Sequence, residues 1–238
     1  MRVLVTRPEA DGRRTAARLA ARGHEAVLAP VTRIVATGNP PPAGPWDALL
    51  LTSANAAPAL AALSPLRQPV FAVGARTAAA AREAGAPFVQ AAEGDALALA
   101  ALVKATLPPG ARLLHAAAED RKDEPERSLK AAGFHVIVWE AYRAEAVEEV
   151  PAALLAALGA RRIDAALHFS RRSAGLLVAF VKGAGLLEPF RRVPHLCLSA
   201  DVAAALADLG AAVVAPAPRE DALLDTLERL AGSPPPSA

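Results

Sequence analysis

Short apolar runs alternate with windows of helical periodicity along almost the whole chain. We predict ten strands, near residues 2–6, 26–30, 47–52, 69–73, 87–91, 111–116, 135–141, 164–169, 195–199 and 212–216. Helices are expected between them, near residues 11–22, 54–63, 76–84, 95–106, 124–132, 150–160, 171–184, 201–209 and 220–231. Strands that alternate with helices are typical of parallel sheets covered by helices on both faces. Since ten strands are too many for one ordinary sheet, the pattern predicts an α/β protein with two sheets of five strands.

One strand pattern occurs twice in the chain. A strand that begins with an aspartate and ends at a small polar turn is found at Asp47–Ser53 and again at Asp164–Ser170, and each is followed by a second strand and an alanine-rich helix. The two leading aspartates are 117 residues apart, whereas Asp95 and Asp221, further along the two copies, are 126 residues apart. Two loop insertions account for this difference. The repeat favours two similar domains that hold one ligand between them.

Proline marks one place where the chain leaves a domain. The segment Thr37–Pro45 contains three successive prolines, which can continue neither a ladder nor a helix. A second crossing is expected near Tyr142–Val147. We therefore predict a discontinuous domain 1 of residues 1–36 plus 144–238, and a domain 2 of residues 37–143.

Composition and charge exclude several classes of function. The net charge is only +2 and the basic residues are scattered, which does not support nucleic-acid binding. The longest uncharged run, Ala48–Leu66, contains too many polar residues to span a bilayer. Because Met1–Pro8 has no apolar stretch of signal-peptide length, we expect a cytoplasmic protein. No glycine-rich fingerprint or phosphate loop indicates nucleotide binding.

Four hydroxyl side chains are expected at corners between a strand and a helix. Ser53, Thr77, Ser170 and Ser199 lie at or near the carboxyl ends of predicted strands, where open α/β sheets bind ligands. A helix N-terminus there offers unpaired N–H groups and the positive end of the helix dipole, which suits an anion. Each hydroxyl also fits a plain helix N-cap, so both interpretations stay open.

Two arginines follow one of these corners. Arg171 and Arg172 come directly after Ser170, at a helix start where a cation opposes the dipole. An anionic partner would remove this conflict, so we expect Arg171 to bind a ligand carboxylate. The alternative is an arginine that faces solvent.

The histidines and the cysteine do not indicate a metal site. The five histidines, His24, His115, His135, His168 and His195, have no spacing typical of metal ligands, so no metal site is predicted. His168 lies two residues before Ser170 and is a candidate for contact with a carboxylate. The lone Cys197 lies in an apolar run and is expected to be buried.

Four segments resemble uroporphyrinogen-III synthases in order and spacing: Val3–Pro8, Leu51–Asn55, Val73–Ala78 and Glu140–Tyr142. The resemblance covers nearly the whole chain and implies two flavodoxin-like parallel-sheet domains joined by two extended linker strands. It further implies a lyase of haem biosynthesis that cyclises hydroxymethylbilane to uroporphyrinogen III, with inversion of ring D and loss of water. No metal or organic cofactor is implied. The implied protein is a monomer that makes transient contact with the preceding pathway enzyme.

The resemblance also implies a set of site residues. Tyr142, the only tyrosine, is the catalytic candidate, because a phenol with an ordinary pKa of about 10 can donate a proton to the departing hydroxyl group. The alternative is a tyrosine packed on the linker. The residues expected to bind the substrate, which carries eight carboxylates, are Thr6, Arg7, Ser53, Ala54, Asn55, Gly74, Thr77, Ser170, Arg171 and Ser199.

Two positions depart from the family pattern. A corner that is usually Gly-x-x-Thr-Ala is Ser199–Ala203 here, where the hydroxyl of the motif is missing and an acid, Asp201, stands nearby, and Ala117 stands where glycine is common. Two other functions therefore stay open. One is a non-catalytic two-lobed binding or sensor protein for a polyanionic small ligand. The other is a glycosyltransferase-like enzyme, for which the chain has no nucleotide-sugar motif.

Overall fold

The structure, a computed structural model, describes residues 1–232. Its eleven strands within this range are β1 (Arg2–Val5), β2 (Glu25–Leu28), β3 (Thr32–Ala36), β4 (Ala48–Leu51), β5 (Val70–Ala72), β6 (Val89–Ala91), β7 (Arg112–Ala118), β8 (His135–Ala146), β9 (Ala165–His168), β10 (His195–Cys197) and β11 (Val213–Val214). The helices are α1 (Glu9–Ala20), α2 (Ala75–Glu83), α3 (Ala96–Thr106), α4 (Glu126–Ala131), α5 (Ala152–Gly159), α6 (Arg171–Gly183), α7 (Leu187–Arg191), α8 (Ala200–Ala204) and α9 (Glu220–Gly232). No helix among these residues combines the length and apolar character needed to cross a bilayer.

The helix predictions were wrong in three places. Residues Ala54–Leu63 form a 3-10 helix instead of an α-helix, and Pro58 inside it lacks the N–H group that an α-helix would use. The predicted helix 201–209 is divided into α8 and a 3-10 turn at Ala207–Leu209. The short helix α7 was not predicted, because five residues are too few to show helical periodicity.

The chain divides into two units. Unit 1 consists of Met1–Arg33 and the chain from Glu145 onward, and unit 2 consists of Ile34–Ala144. The chain passes from one unit to the other inside β3 and again inside β8. Residues 233–238, which the sequence assigned to domain 1, lie outside the described residues.

Unit 1 contains a parallel five-stranded sheet in the order β2-β1-β9-β10-β11. Counted along the unit, this is the flavodoxin order 2-1-3-4-5. The central strand β1 is covered on both faces, because Leu4 packs in one apolar cluster while Val3 and Val5 pack in another. Near-continuous apolar runs of this kind are typical of buried parallel strands.

Unit 2 contains a six-stranded sheet in the order β6-β5-β4-β7-β8-β3. Its first five strands are parallel and, counted from β4, follow the doubly wound order 3-2-1-4-5. The prediction of five strands was wrong for this sheet because β3 adds a sixth. The segment that includes β3 pairs with the second half of β8: Thr37 N–H donates to Ala141 O, and Val147 N–H donates to Val31 O, both at 3.1 Å. Residue numbers fall along one segment as they rise along the other, so this pair is antiparallel.

The two sheets have equivalent strands in a permuted chain order. Strands β9, β10 and β11 of unit 1 occupy the positions that β4, β5 and β6 occupy in unit 2. Strands β1 and β2 of unit 1 then correspond to β7 and β8 of unit 2. The leading aspartates make the same contact in both units. Asp164 Oδ2 accepts from Arg2 N–H, and Asp47 Oδ2 accepts from Arg112 N–H, each at 2.7 Å. The repeat therefore covers the unit 1 sheet and the five parallel strands of the unit 2 sheet, without β3. In unit 1 the equivalents of β7 and β8 come first along the chain.

Candidate active site

Five of the expected site residues lie at one edge of the unit 1 sheet. Thr6 and Arg7 follow β1, Ser170 and Arg171 follow β9, and Ser199 follows β10. The chain order reverses between β1 and β9. Ligands of open α/β sheets bind outside the carboxyl ends of the strands at such a switch point, so this edge is the candidate ligand edge of unit 1.

Three serines at the candidate edges are helix N-caps. Ser170 Oγ and Ser199 Oγ accept from the backbone N–H three residues later, at 3.1 Å and 3.4 Å. Ser53 Oγ accepts from Asn55 N–H at 3.2 Å at the start of the 3-10 helix of unit 2. Such a cap contributes about 1 kcal/mol to stability, so the local structure by itself explains these three side chains. Their contact with substrate stays a prediction.

Arg7 is held by acidic residues of its own unit. Its Nη1 lies 3.3 Å from Glu220 Oε2, and its Nη2 lies 3.8 Å from Asp11 Oδ1. The guanidinium also lies 4.3 Å above the centre of the Phe169 ring, and the preceding Thr6 is buried. A substrate carboxylate at Arg7 would have to compete with two carboxylates of the protein.

Arg171 pairs with the acid that departs from the family pattern. Its Nη1 lies 3.0 Å from Asp201 Oδ1, and the two side chains are 65% and 68% exposed. An exposed ion pair of this kind contributes roughly 0.2–1 kcal/mol. So weak a partner can be displaced by a ligand carboxylate, and the expected role of Arg171 stays a prediction.

Four other expected site residues lie just after the carboxyl ends of strands in unit 2, and Thr77 lies within α2. Ser53, Ala54 and Asn55 follow β4 and are partly exposed. Gly74 follows β5 and precedes α2, and its backbone is extended, with φ −176°, which any residue can adopt. Thr77 is only 2% exposed, so its side chain lies in the interior of the unit.

Tyr142 lies on β8, where this strand pairs with Ala118 at the end of β7. Its carbonyl oxygen accepts from Glu119 N–H at 2.9 Å. The residue is 9% exposed and belongs to the same apolar cluster as Trp46 and Trp139. The ring therefore packs in the core of unit 2, and its catalytic role stays a prediction.

A connected set of polar side chains, which the sequence analysis missed, lies at the switch point of unit 2. Thr52 Oγ1 is 3.0 Å from His115 Nε2, and His115 Nδ1 is 3.2 Å from Glu126 Oε1. Arg121 Nε lies 3.1 Å from the same Glu126 oxygen, and its Nη1 lies 3.0 Å from Glu140 Oε1. The hydrogen bond from His115 lowers the pKa of Glu126 below its ordinary value, against the effect of burial.

The sequence contained one signal for this set. His115 interrupts an apolar strand and is 1% exposed, and a buried imidazole needs hydrogen-bond partners. The sequence does not say which partners these are, because Thr52 is 63 residues away and Glu126 is 11 residues away.

A second buried polar pair lies in unit 1. His168 Nε2 is 3.1 Å from His195 Nδ1, and His195 Nε2 is 3.2 Å from the Phe190 carbonyl oxygen. Since a carbonyl only accepts, His195 donates from Nε2, and its Nδ1 accepts from His168. Burial lowers the pKa of His168 to about 3, helped by the nearby charge of a protonated His195, and lowers the pKa of His195 to about 4. A neutral, buried His168 offers no charge to a substrate carboxylate.

Comparison with known proteins identifies the family. A family model described as uroporphyrinogen-III synthase HemD matches residues 13–225, which is 213 of the 238 residues. The solved uroporphyrinogen-III synthetase of Helicobacter pylori is 16% identical, with a TM-score of 0.62 and with 96% of this chain and 98% of that chain covered. A mutant uroporphyrinogen III synthase from the extremely thermophilic bacterium Thermus thermophilus is 19% identical, with a TM-score of 0.48 and the same coverage. A comparison with curated proteins found no significant match.

The solved Helicobacter structure supports the fold, and the family model supports the family. Identities below 25% show a likeness of fold alone, and the Helicobacter protein confirms the predicted α/β fold with parallel sheets. The two other functions, a non-catalytic sensor and a glycosyltransferase-like enzyme, find no support in either comparison. Because the family model covers almost all of the sequence, the chain belongs to the uroporphyrinogen-III synthase family and is an enzyme of haem biosynthesis.

Proposed function

We propose that this protein is a cofactor-independent lyase that cyclises hydroxymethylbilane to uroporphyrinogen III, inverting ring D and releasing water. This proposal rests on the family match over residues 13–225. We further propose that it acts in the cytoplasm as a monomer and contacts the preceding pathway enzyme transiently, as the resemblance implies.

The substrate carboxylates bind at the helix starts that follow the strands. α2 begins after Gly74 without a side-chain cap, and Arg76 in its first turn adds a positive charge. α6 begins after Ser170 and has Arg171 as its first residue. Unpaired N–H groups and the positive end of a helix dipole favour an anion at both places. A hydrogen bond to a charged group contributes roughly 1.5–3 kcal/mol, so a few such contacts hold the ligand.

Tyr142 acts on the hydroxyl group that leaves the substrate. Its phenol donates a proton to this hydroxyl, which departs as water and leaves an electrophilic methylene carbon on the pyrrole. Most of the catalytic effect comes from holding the linear tetrapyrrole in a geometry that prevents direct closure to the type I isomer.

The test is the isomer of the product. Purified protein is incubated with enzymatically generated hydroxymethylbilane, without added cofactor and with a chelator, and the isomers are separated by chromatography. We expect the type III isomer to dominate, while the control without enzyme yields type I. Exclusive formation of type I in the presence of folded protein would contradict the proposed function.

A further inference from the structure

Thr52, His115 and Glu126 form one line of side chains at the switch point of unit 2, which we call the Thr52 line. β4 and β7 are neighbours there, and Thr52 follows the last residue of β4. His115 is buried at 1% exposure, whereas Glu126, with a side chain that is 12% exposed, and Thr52 are both partly exposed. The buried imidazole therefore lies between two partly exposed residues, of which Thr52 is the one at the carboxyl end of β4.

Each hydrogen bond in the Thr52 line has a defined direction. The pKa of Glu126 is lowered, so its carboxylate stays ionised and can only accept. His115 therefore donates from Nδ1 to Glu126, and Nε2 of the neutral imidazole accepts from the Thr52 hydroxyl. The Thr52 oxygen then keeps its lone pairs available for a proton from another molecule.

Satisfying a buried imidazole does not require this arrangement. His195 in unit 1 is satisfied by the backbone carbonyl of Phe190 and by His168. His115 is instead placed between a hydroxyl and a carboxylate that Arg121 also contacts, and enclosing charged groups in this way costs desolvation energy. A hydroxyl, an imidazole and a carboxylate in this order are the groups that move a proton in hydrolytic active sites.

We propose that the Thr52 line is a proton relay that accepts the proton released when the macrocycle closes. This inference rests on the proposed function. Closure forms a carbon–carbon bond at the free α-carbon of a pyrrole, and this carbon must then lose its hydrogen as a proton so that the ring regains its aromatic electrons. Thr52 Oγ1 takes this proton while its own hydroxyl proton passes to His115 Nε2.

With this relay, the enzyme gives up one proton and takes up one proton in each reaction. One proton leaves Tyr142 with the departing water, and one proton arrives at His115, where the Glu126 carboxylate stabilises the resulting imidazolium. Return of this proton to solvent by the same path, and reprotonation of Tyr142, restore the enzyme. Of the three residues in the line, only Thr52 is proposed to contact the substrate, so His115 and Glu126 act through it as positioning residues.

The first test compares two substitutions at Thr52 with a matched control. Thr52→Val removes the hydroxyl group, and Thr52→Ser retains it. Thr106→Val is the control, because Thr106 is exposed at the end of α3 and donates only to the Leu102 carbonyl within its own helix. We expect Thr52→Val to lower kcat by about 100-fold, within the range of general base catalysis, with KM near the wild-type value. Thr52→Ser should restore most of the kcat that Thr52→Val loses, and Thr106→Val should stay close to wild type.

An isotope effect separates a relay from a structural role. The substrate is hydroxymethylbilane with deuterium at the free α-carbon of its terminal pyrrole. If Thr52 accepts this proton, its loss becomes rate-limiting in Thr52→Val, and a primary isotope effect on kcat should be larger there than in wild type. Glu126→Gln keeps an acceptor for His115 but removes the charge, so its isotope effect on kcat should also be larger than that of wild type. This variant replaces Thr52→Val in the test if Thr52→Val does not fold.

The outcomes distinguish this inference from the proposed function. Type I product from wild-type protein would overturn the proposed function. Type III product from wild type, together with a wild-type kcat in folded Thr52→Val, would overturn the relay alone. A lowered kcat with no gain in the isotope effect, in Thr52→Val or in Glu126→Gln, would also overturn the relay.

Discussion

We expect unit 1 to lose stability between about pH 7 and pH 5 because His168 and His195 are buried as neutral imidazoles. Burial lowers the folded-state pKa of both residues well below the ordinary value of 6.5. As the pH falls through 6.5, the unfolded chain therefore binds protons that the folded chain does not bind. The stability that the pair contributes is present above this pH, and it is lost progressively until the folded pair itself begins to protonate near pH 4.

The magnitude follows from the pKa difference. Between about pH 7 and pH 5 an unfolded histidine changes from mostly neutral to almost fully protonated, while His168 and His195 stay neutral in the folded unit. This difference amounts to about 2 kcal/mol for each histidine and about 4 kcal/mol for the pair. A loss of this size is a large part of the stability of an ordinary domain.

The double variant His168→Leu/His195→Gln isolates this effect. Leucine removes one titrating ring, and glutamine removes the other while it keeps a donor for the Phe190 carbonyl. Urea unfolding is followed by circular dichroism at about pH 7 and pH 5. Tryptophan fluorescence reports on unit 2, which contains both Trp46 and Trp139. His135→Gln is the matched control, because His135 is an exposed histidine of unit 2.

The test compares the free energy of unfolding at the two pH values. The free energy of unfolding of wild type should fall by about 4 kcal/mol more than that of the double variant. The control should behave as wild type. Equal losses in wild type and in the double variant would show that the histidine pair is already accommodated as a charged pair, and the argument from burial would be wrong.

The remaining predictions concern substitutions at Tyr142, Arg171 and Asp201. Tyr142→Phe should lower kcat by about tenfold to a thousandfold with a native circular dichroism spectrum, and an unchanged kcat would mean that Tyr142 only packs. Arg171→Ala should raise KM by roughly five- to 150-fold with little change in kcat, because the contact is uniform in ground and transition states; an unchanged KM would mean that Arg171 only faces water. Asp201→Ala should lower KM by up to about fivefold, since it frees Arg171 from a competing carboxylate, and a raised KM would contradict this.

The central parts of both sheets were predictable from the sequence. Apolar runs such as Leu49–Leu51 and Ala165–Leu167 are too short for a buried helix and are bounded by polar turns, so they indicate buried strands. The serine N-caps were predictable for a similar reason, since Ser170 directly precedes a helical pattern and its hydroxyl needs only a neighbouring N–H. Both features depend on residues that are close together in the chain.

Features that depend on distant residues were not predictable. β3 becomes a strand because the segment around it pairs with residues more than a hundred positions later, around Ala141 and Val147. Arg7 was expected to bind substrate, but its pairing with Glu220 depends on the folding of the chain's two ends into one unit. The pattern of apolar and polar residues within a short stretch of sequence does not show which distant residues will pair.

The permuted strand order affects how the chain folds during synthesis. Once residues 1–146 have been made, every parallel strand of unit 2 exists, whereas unit 1 has only β1 and β2. β1 is a central strand, and β9, its second neighbour, begins 160 residues after β1 ends, at Ala165. A nascent chain therefore has an open, apolar sheet edge that only its own later half can cover. We expect a chain cut short before Ala165 to contain a folded unit 2 and an aggregation-prone amino-terminal segment.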